Sequence, residues 1–171
     1  MEFEIYVLRH GIAVDPGTPG YADDSKRPLT KEGQKKMRRI ARAMRSMELE
    51  FGLILSSPFL RAKETAEIVQ KAYGGEKIPL RFSSKLEPCT PYPKLIRELS
   101  PVLRKKKSVL LVGHEPFLSG LISGLISGSS ECRIELKKGG LCKISTDGFT
   151  PGHRAQLEWL LTPSQLMRMS S

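Results

Sequence analysis

Phe3-Glu4-Ile5-Tyr6-Val7-Leu8-Arg9-His10-Gly11 opens the chain on an apolar run that ends in a cation, an imidazole and a glycine. Ile5, Tyr6 and Val7 are β-branched or aromatic, so Glu2 to Leu8 reads as a first strand. Arg9 and His10 then stand at the strand exit, where the chain must turn. A guanidinium beside an imidazole at such a place suits an anionic group such as phosphate. An Arg-His-Gly triplet is common by chance, and its meaning depends on the partners that the remaining sequence supplies.

Outward from this strand the pattern alternates. Asp15 to Pro28 is a loop rich in Gly, Pro and Asp. Thr30 is an N-cap for a helix over Lys31 to Met47, whose Met37, Ile40, Ala41 and Met44 share one face. Phe51 to Leu55 is a second strand. Ser57 caps the next helix, Pro58 occupies its first turn, and it runs to Tyr73, burying Ala62, Ala66 and Val69. Ile78 to Phe82 is a third strand, placed at a sheet edge by Pro79. Tyr92 to Lys106 is helical, with Pro101 expected to interrupt it. Val109 to Val112 is wholly apolar, as in the middle of a covered sheet, and a helix through Ile126 follows. Gly120, Gly124 and Gly128 on that helix suggest close packing against the sheet. Arg133 to Leu136, Gly140 to Ser145 and Gln156 to Leu161 complete the strands. Strand–helix alternation of this kind predicts a three-layer α/β/α sandwich with a mostly parallel sheet, formed by residues 1–171 as one domain.

Composition narrows the class. The chain has 171 residues, 39% hydrophobic and 27% charged, with a net charge of +10. That is a globular composition, and no apolar stretch approaches a membrane span, so a cytoplasmic protein is expected. Cys89, Cys132 and Cys142 lack disulfide or zinc spacing, and none begins the loop of cysteine-based phosphatases. The positive charge favours acidic or phosphorylated partners. Lys35, Arg38, Arg39 and Arg42 fall on one helical face and read first as a solvated surface. Nucleic-acid motifs are absent and aromatics few.

In open α/β sheets, ligands bind at the carboxyl ends of the strands. Arg9 and His10 leave the first strand, Ser56-Ser57-Pro58 leaves the second with Arg61 just beyond, and His114 leaves Val109–Val112. Two arginines can clamp phosphoryl oxygens, helix N-termini add donors, and a neutral histidine can attack phosphorus. A second histidine, if protonated, can stabilise the equatorial oxygens. The arginines supply the positive charge, so neither a metal nor a cofactor is expected.

Leu8-Arg9-His10-Gly11, Ser56-Ser57-Pro58-x-x-Arg61-Ala62-x-x-Thr65-Ala66 and Val112-Gly113-His114-Glu115-Pro116 resemble the three signature segments of the histidine phosphatase superfamily. Arg27-Pro28-Leu29-Thr30-x-x-Gly33 resembles a fourth, and order, spacing and strand context agree from residue 5 to about 118. The short chain and the Arg-Pro-Leu-Thr and Ser-Pro-Phe-Leu-Arg-Ala segments are similar to SixA-type phosphohistidine phosphatases. This resemblance implies the phosphoglycerate mutase-like fold. It also implies a nucleophilic His10 that becomes transiently phosphorylated, and a phosphate pocket of Arg9, Arg61 and His114.

The proton donor is less defined. Glu87, in Lys85-Leu86-Glu87-Pro88, occupies a place similar to that of a glutamate in the mutase-like branch. Asp23 and Asp24 are further candidates. Arg27 either touches substrate or pairs with one of these acids. His153, in Pro151-Gly152-His153, reads as a turn residue. The twenty residues or so between Glu87 and Ser108 are too few for a large helical cap, so the cleft is expected to be open. The substrate is then a phosphorylated protein, such as a signalling domain carrying phosphohistidine. The alternatives are a small phosphate ester such as a sugar phosphate or nucleotide, or a non-enzymatic module that binds phosphoprotein.

Overall fold

The computed structural model describes residues 2–88, 91–148 and 155–169. Cys89 and His153 lie outside the described residues. Six strands form one sheet: β1 (Phe3–Arg9), β2 (Ile54–Ser56), β3 (Leu80–Phe82), β4 (Ser108–Gly113), β5 (Leu141–Thr146) and β6 (Gln156–Leu161), in spatial order β3-β2-β4-β1-β5-β6. β3, β2, β4 and β1 pair in parallel, and β5 is antiparallel to both β1 and β6. The helices are α1 (Lys31–Ser46), α2 (Leu60–Ala72), α3 (Tyr92–Lys106), α4 (Phe117–Ser127) and α5 (Pro163–Arg168).

The period-2 alternation of the strands divides the interior into two cores. Phe3, Ile5, Val7, Leu53, Leu55, Val109 and Leu111 face α3 and α4. Tyr6, Leu8, Ile54, Leu110 and Val112 face α1, α2 and α5. β4 is buried on both faces and has a strand on either side, which is why every residue of Val109–Val112 is apolar. β3 lies at the edge, as Pro79 predicts. The sheet with helices on both faces is the expected α/β/α sandwich. Among the described residues, the segment after Glu87 folds as the single helix α3 and builds no large cap. No helix among them is long and apolar enough to cross a membrane.

Four local expectations are corrected. Arg133–Leu136 forms no strand; it is an irregular approach to the turn that leads into β5. α2 begins at Leu60 rather than at Pro58, and its N-cap position is Phe59, without a side-chain cap. Pro101 leaves α3 continuous from Tyr92 to Lys106. It lies on the exposed face, where water can take the freed carbonyl, while Leu95, Leu99 and Leu103 anchor the opposite face in the core. The glycines of α4 do not meet the sheet. A Cβ on Gly124 would collide with the Tyr92 ring of α3, whereas Gly120 and Gly128 face open space. α5 was unforeseen, although Thr162 and Gln165 form a reciprocal capping box around Pro163.

Thr30 caps α1 as expected, its hydroxyl accepting from the Gly33 N–H at 2.9 Å. Its own N–H bonds to the Ile12 carbonyl at 2.9 Å, so the start of α1 is pressed onto the loop that leaves β1. A Cβ at Gly33 would stand 2.0 Å from that same carbonyl oxygen. The Arg27–Gly33 segment thus clamps the turn that carries His10. Gly33→Ala is expected to lower stability by about 2 kcal/mol, because backbone cannot yield as a side chain does. Gly120→Ala, in open space on a helix, should raise it by up to ~1 kcal/mol. Urea unfolding of both variants checks the pair, and equal effects would defeat the clamp reading.

Candidate active site

Strand pairing runs one residue beyond the sheet and sets the site. The N–H of His10 bonds to the Gly113 carbonyl at 3.1 Å, and that of Ser57 bonds to the Val112 carbonyl at 2.9 Å. The exits of β1, β4 and β2 therefore lie side by side. His10 and His114 come together with ring centroids 5.0 Å apart. His10, Arg61 and His114 are 6%, 4% and 1% exposed. Three of the four residues expected to cluster thus share one buried contact network, and Arg9 adjoins it.

His10 has a defined tautomer. Nδ1 lies 2.7 Å from the Gly11 carbonyl, which can only accept, so Nδ1 carries the proton and Nε2 keeps its lone pair. Nε2 receives Nε–H of Arg61 at 3.3 Å. Thr65 fastens this corner from α2. Its hydroxyl donates to the Arg61 carbonyl at 2.7 Å and accepts the Gly11 N–H at 3.1 Å.

His114 is fixed by Ser57, which the sequence presented as a helix cap. Ser57 Oγ accepts the Phe59 N–H at 3.3 Å and lies 2.8 Å from His114 Nε2. Its single proton therefore goes to Nε2, the acceptor in reach. Nδ1 of His114 then bears a hydrogen, and it is buried with no partner. Arg9 is similar. Nη1 donates to the Leu136 carbonyl at 3.0 Å, while Nε is buried and unpartnered. Buried donors without acceptors are costly, at about 1–3 kcal/mol each. An oxyanion entering the pocket offers what they lack.

Asp24 supplies the counter-charge. Arg61 Nη1 donates to the Asp24 carbonyl at 2.7 Å and Nη2 to Oδ2 at 2.9 Å. Arg27 grips the other carboxylate oxygen through Nε and Nη2, at 2.8 and 2.6 Å, while its Nη1 donates to the Val14 carbonyl. Arg27 thus pairs with an acid. Burial opposes charge on Asp24, but the hydrogen bonds from Arg27 and Arg61 outweigh it and hold the carboxyl below its ordinary range. Asp23 instead caps a short 3-10 turn at Asp24–Lys26. Glu87 follows Leu86, whose carbonyl lies 3.4 Å from where a Gly113 Cβ would stand, so it shares the edge with His114. It makes no hydrogen bond or ion pair among the described residues. Burial raises the neighbouring Glu115 carboxyl, against the bonds from Ser119 and the charge of Arg9.

Burial pushes His10 down to about 2, helped by His114, Arg61 and Arg9 and opposed by the Gly11 hydrogen bond. Burial, with the Arg61 charge next, pushes His114 down to about 3. Both imidazoles are neutral in the empty pocket, so His114 reaches an anion there as a neutral Nδ1–H donor.

Residues 5–87 match the histidine phosphatase superfamily (branch 1). Phosphohistidine phosphatase SixA of Escherichia coli (strain K12) is 30% identical over 132 residues, covering 74% of this chain and 76% of that protein. An uncharacterized protein of Picosynechococcus sp. is 31% identical over 152 residues, covering 81% and 82%. The structure of the protein histidine phosphatase SixA complexed with tungstate superimposes with a TM-score of 0.81 at 25% identity, over 96% of this chain and 99% of that one. The chain belongs to the histidine phosphatase superfamily and is a phosphatase. Within that superfamily it is of the SixA type.

The neutral histidines make stability depend on pH. In the unfolded chain each titrates near 6.5, and in the folded chain far lower. The unfolded state therefore binds more protons between these limits. Stability is full above about 6.5 and falls as pH drops through the window, by up to ~1.4 kcal/mol per pH unit per histidine. Urea unfolding at pH 7 and pH 5 should show this loss, and His114→Asn should remove roughly half of it. An unchanged slope in the variant would contradict a neutral His114.

Proposed function

We propose that this phosphatase removes the phosphoryl group from phosphohistidine on a signalling protein, without a metal, through a phosphorylated His10. The observation that carries this reading is the free lone pair of His10 Nε2, aimed at a guanidinium in a pocket with two orphaned donors. The relatives named phosphohistidine phosphatase SixA and protein histidine phosphatase SixA support the substrate class, and tungstate binding by the latter supports an oxyanion pocket.

Arg61 leaves Nε–H and further Nη hydrogens for phosphoryl oxygens while Asp24 holds its far edge. Arg9 Nε–H and His114 Nδ1–H complete the cradle. The Nε2 lone pair of His10 attacks phosphorus. The bond from phosphorus to the substrate nitrogen breaks, and that nitrogen keeps the electron pair and takes a proton. Water then attacks the phosphorus on His10, the bond to Nε2 breaks, and the water's proton leaves to a base, giving orthophosphate. Glu87 is the candidate to give the first proton and take the second. An imidazole leaving group needs this help less than an alkoxide does, which suits a site whose carboxylate is not hydrogen-bonded into place.

A small-ester phosphatase is the second reading, supported by Glu87 as a general acid at the same edge. His10→Ala is expected to lose activity by at least ~10³-fold, and Arg61→Ala by ~10²-fold or more. Acid-labile, base-stable labelled phosphate should be trapped on wild-type His10 and not on the alanine variant. Rapid turnover of small esters with no action on a phosphohistidine protein would overturn the substrate assignment. Unchanged activity in His10→Ala would overturn the mechanism.

A further inference from the structure

We infer that the carboxyl edge of the sheet carries a protein-docking rim wider than the pocket, shaped for an acidic partner bearing the phosphorylated side chain. This rests on the phosphatase reading above and concerns the surface around the pocket, not the pocket itself.

The sheet order provides a ruler. Along this edge lie, in sequence of position, the end of β3, the exits of β2, β4 and β1, and the start of β5. Neighbouring strands are ~4.8 Å apart, so the three central exits span ~10 Å and the five positions ~19 Å. Ser57, His114 and His10 occupy the central three. A phosphoryl group and its immediate attachment fill that span. The two outer positions are beyond the reach of a small ester.

Both outer positions carry exposed cations. At the β5 end, the turn before the strand is bound directly to the nucleophile's backbone. The Gly139 N–H meets the carbonyls of Arg9 and His10 at 3.0 and 3.2 Å, and the Leu136 carbonyl accepts from Arg9. Lys137 and Lys138 project from this turn, exposed and without an ion pair among the described residues. At the β3 end stands Phe82, 45% exposed, with Lys63 Nζ 5.9 Å from its ring centroid. Lys63 is itself 45% exposed, and Glu67 approaches it only to 3.9 Å. Of the nearby carboxylates, Asp23, Asp24 and Glu98 are paired with Lys26, Arg27, Arg61 and Lys85, while Glu87, Glu115 and Glu135 are not.

Width and charge decide the occupant. A specific partner covers ~800 Å² on each side, a patch close to ~28 Å across, which takes in both ends of this row. Lysines at a rim attract carboxylates and speed encounter, and Phe82 adds an apolar contact at one end. Among the described residues no cap stands between this edge and such a surface. The fit is to an acidic face surrounding the phosphohistidine.

The test uses the whole chain and three substrates: free phosphohistidine, an acidic protein and a lysine-rich protein, both proteins phosphorylated on histidine with phosphoramidate. In the double variant Lys137→Glu/Lys138→Glu, kcat/KM on the acidic phosphoprotein should fall by ~10-fold or more with a weaker salt dependence, and Lys63→Glu should act in the same direction. On free phosphohistidine, both should stay within about threefold of wild type, which also shows that they fold. Turnover of the lysine-rich phosphoprotein should rise in the double variant. The rim is refuted if the acidic phosphoprotein is unaffected, or if free phosphohistidine and phosphoprotein fall together. A wild-type enzyme that hydrolyses none of the three would refute the phosphatase reading instead.

Discussion

The N–H of His10 on the carbonyl of Gly113 is the contact from which the site is built. It extends the parallel ladder of β1 and β4 by one rung past the sheet. Two residues far apart in sequence then leave adjacent strands at one height, and their imidazoles meet. Ser57 leaves β2 by the same device, through Val112. The precision of the site is therefore inherited from backbone pairing between buried strands, the most rigid part of the molecule. A slip of one residue in β1 would turn His10 to the opposite face of the sheet.

Electrostatics then assigns the roles. Three arginines lie near two imidazoles that burial and neighbouring cations keep neutral. Asp24 is placed so that it balances Arg27 and Arg61 without occupying the side of Arg61 that faces His10. The loop between β1 and α1 thereby reaches the phosphate clamp through one carboxylate. Its exposure, about half, leaves that carboxylate in contact with water as well.

Much of this was legible in the sequence because it rests on local rules. The period-2 strands, Thr30 as a cap and the apolar Val109–Val112 run each declare their structure through side-chain pattern. So did the convergence of Arg9, His10, Arg61 and His114, since parallel strands deliver their exits to one edge. What escaped depends on contacts distant in sequence. Arg133–Leu136 has strand-like composition but no neighbour to pair with, since β1 is already flanked by β4 and β5. Ser57 looks like a helix cap in sequence, yet its hydroxyl serves a histidine 57 residues away. Pro101 breaks isolated helices, but three leucines seated in a core hold this one together. Gly33 recurs in a motif whose reason, a carbonyl that leaves no room for a Cβ, becomes visible only when Ile12 is placed.

The two orphaned donors, Arg9 Nε and His114 Nδ1, have a consequence for what happens after chemistry. They cannot distinguish the phosphoryl group that arrives from the orthophosphate that departs, because both present the same oxygens. Any strengthening of the cradle for the incoming group lengthens the stay of the outgoing one. A pocket this dry and this rich in donors is thus set by its own construction to trade capture against release, and ambient phosphate becomes a competitor for the resting enzyme.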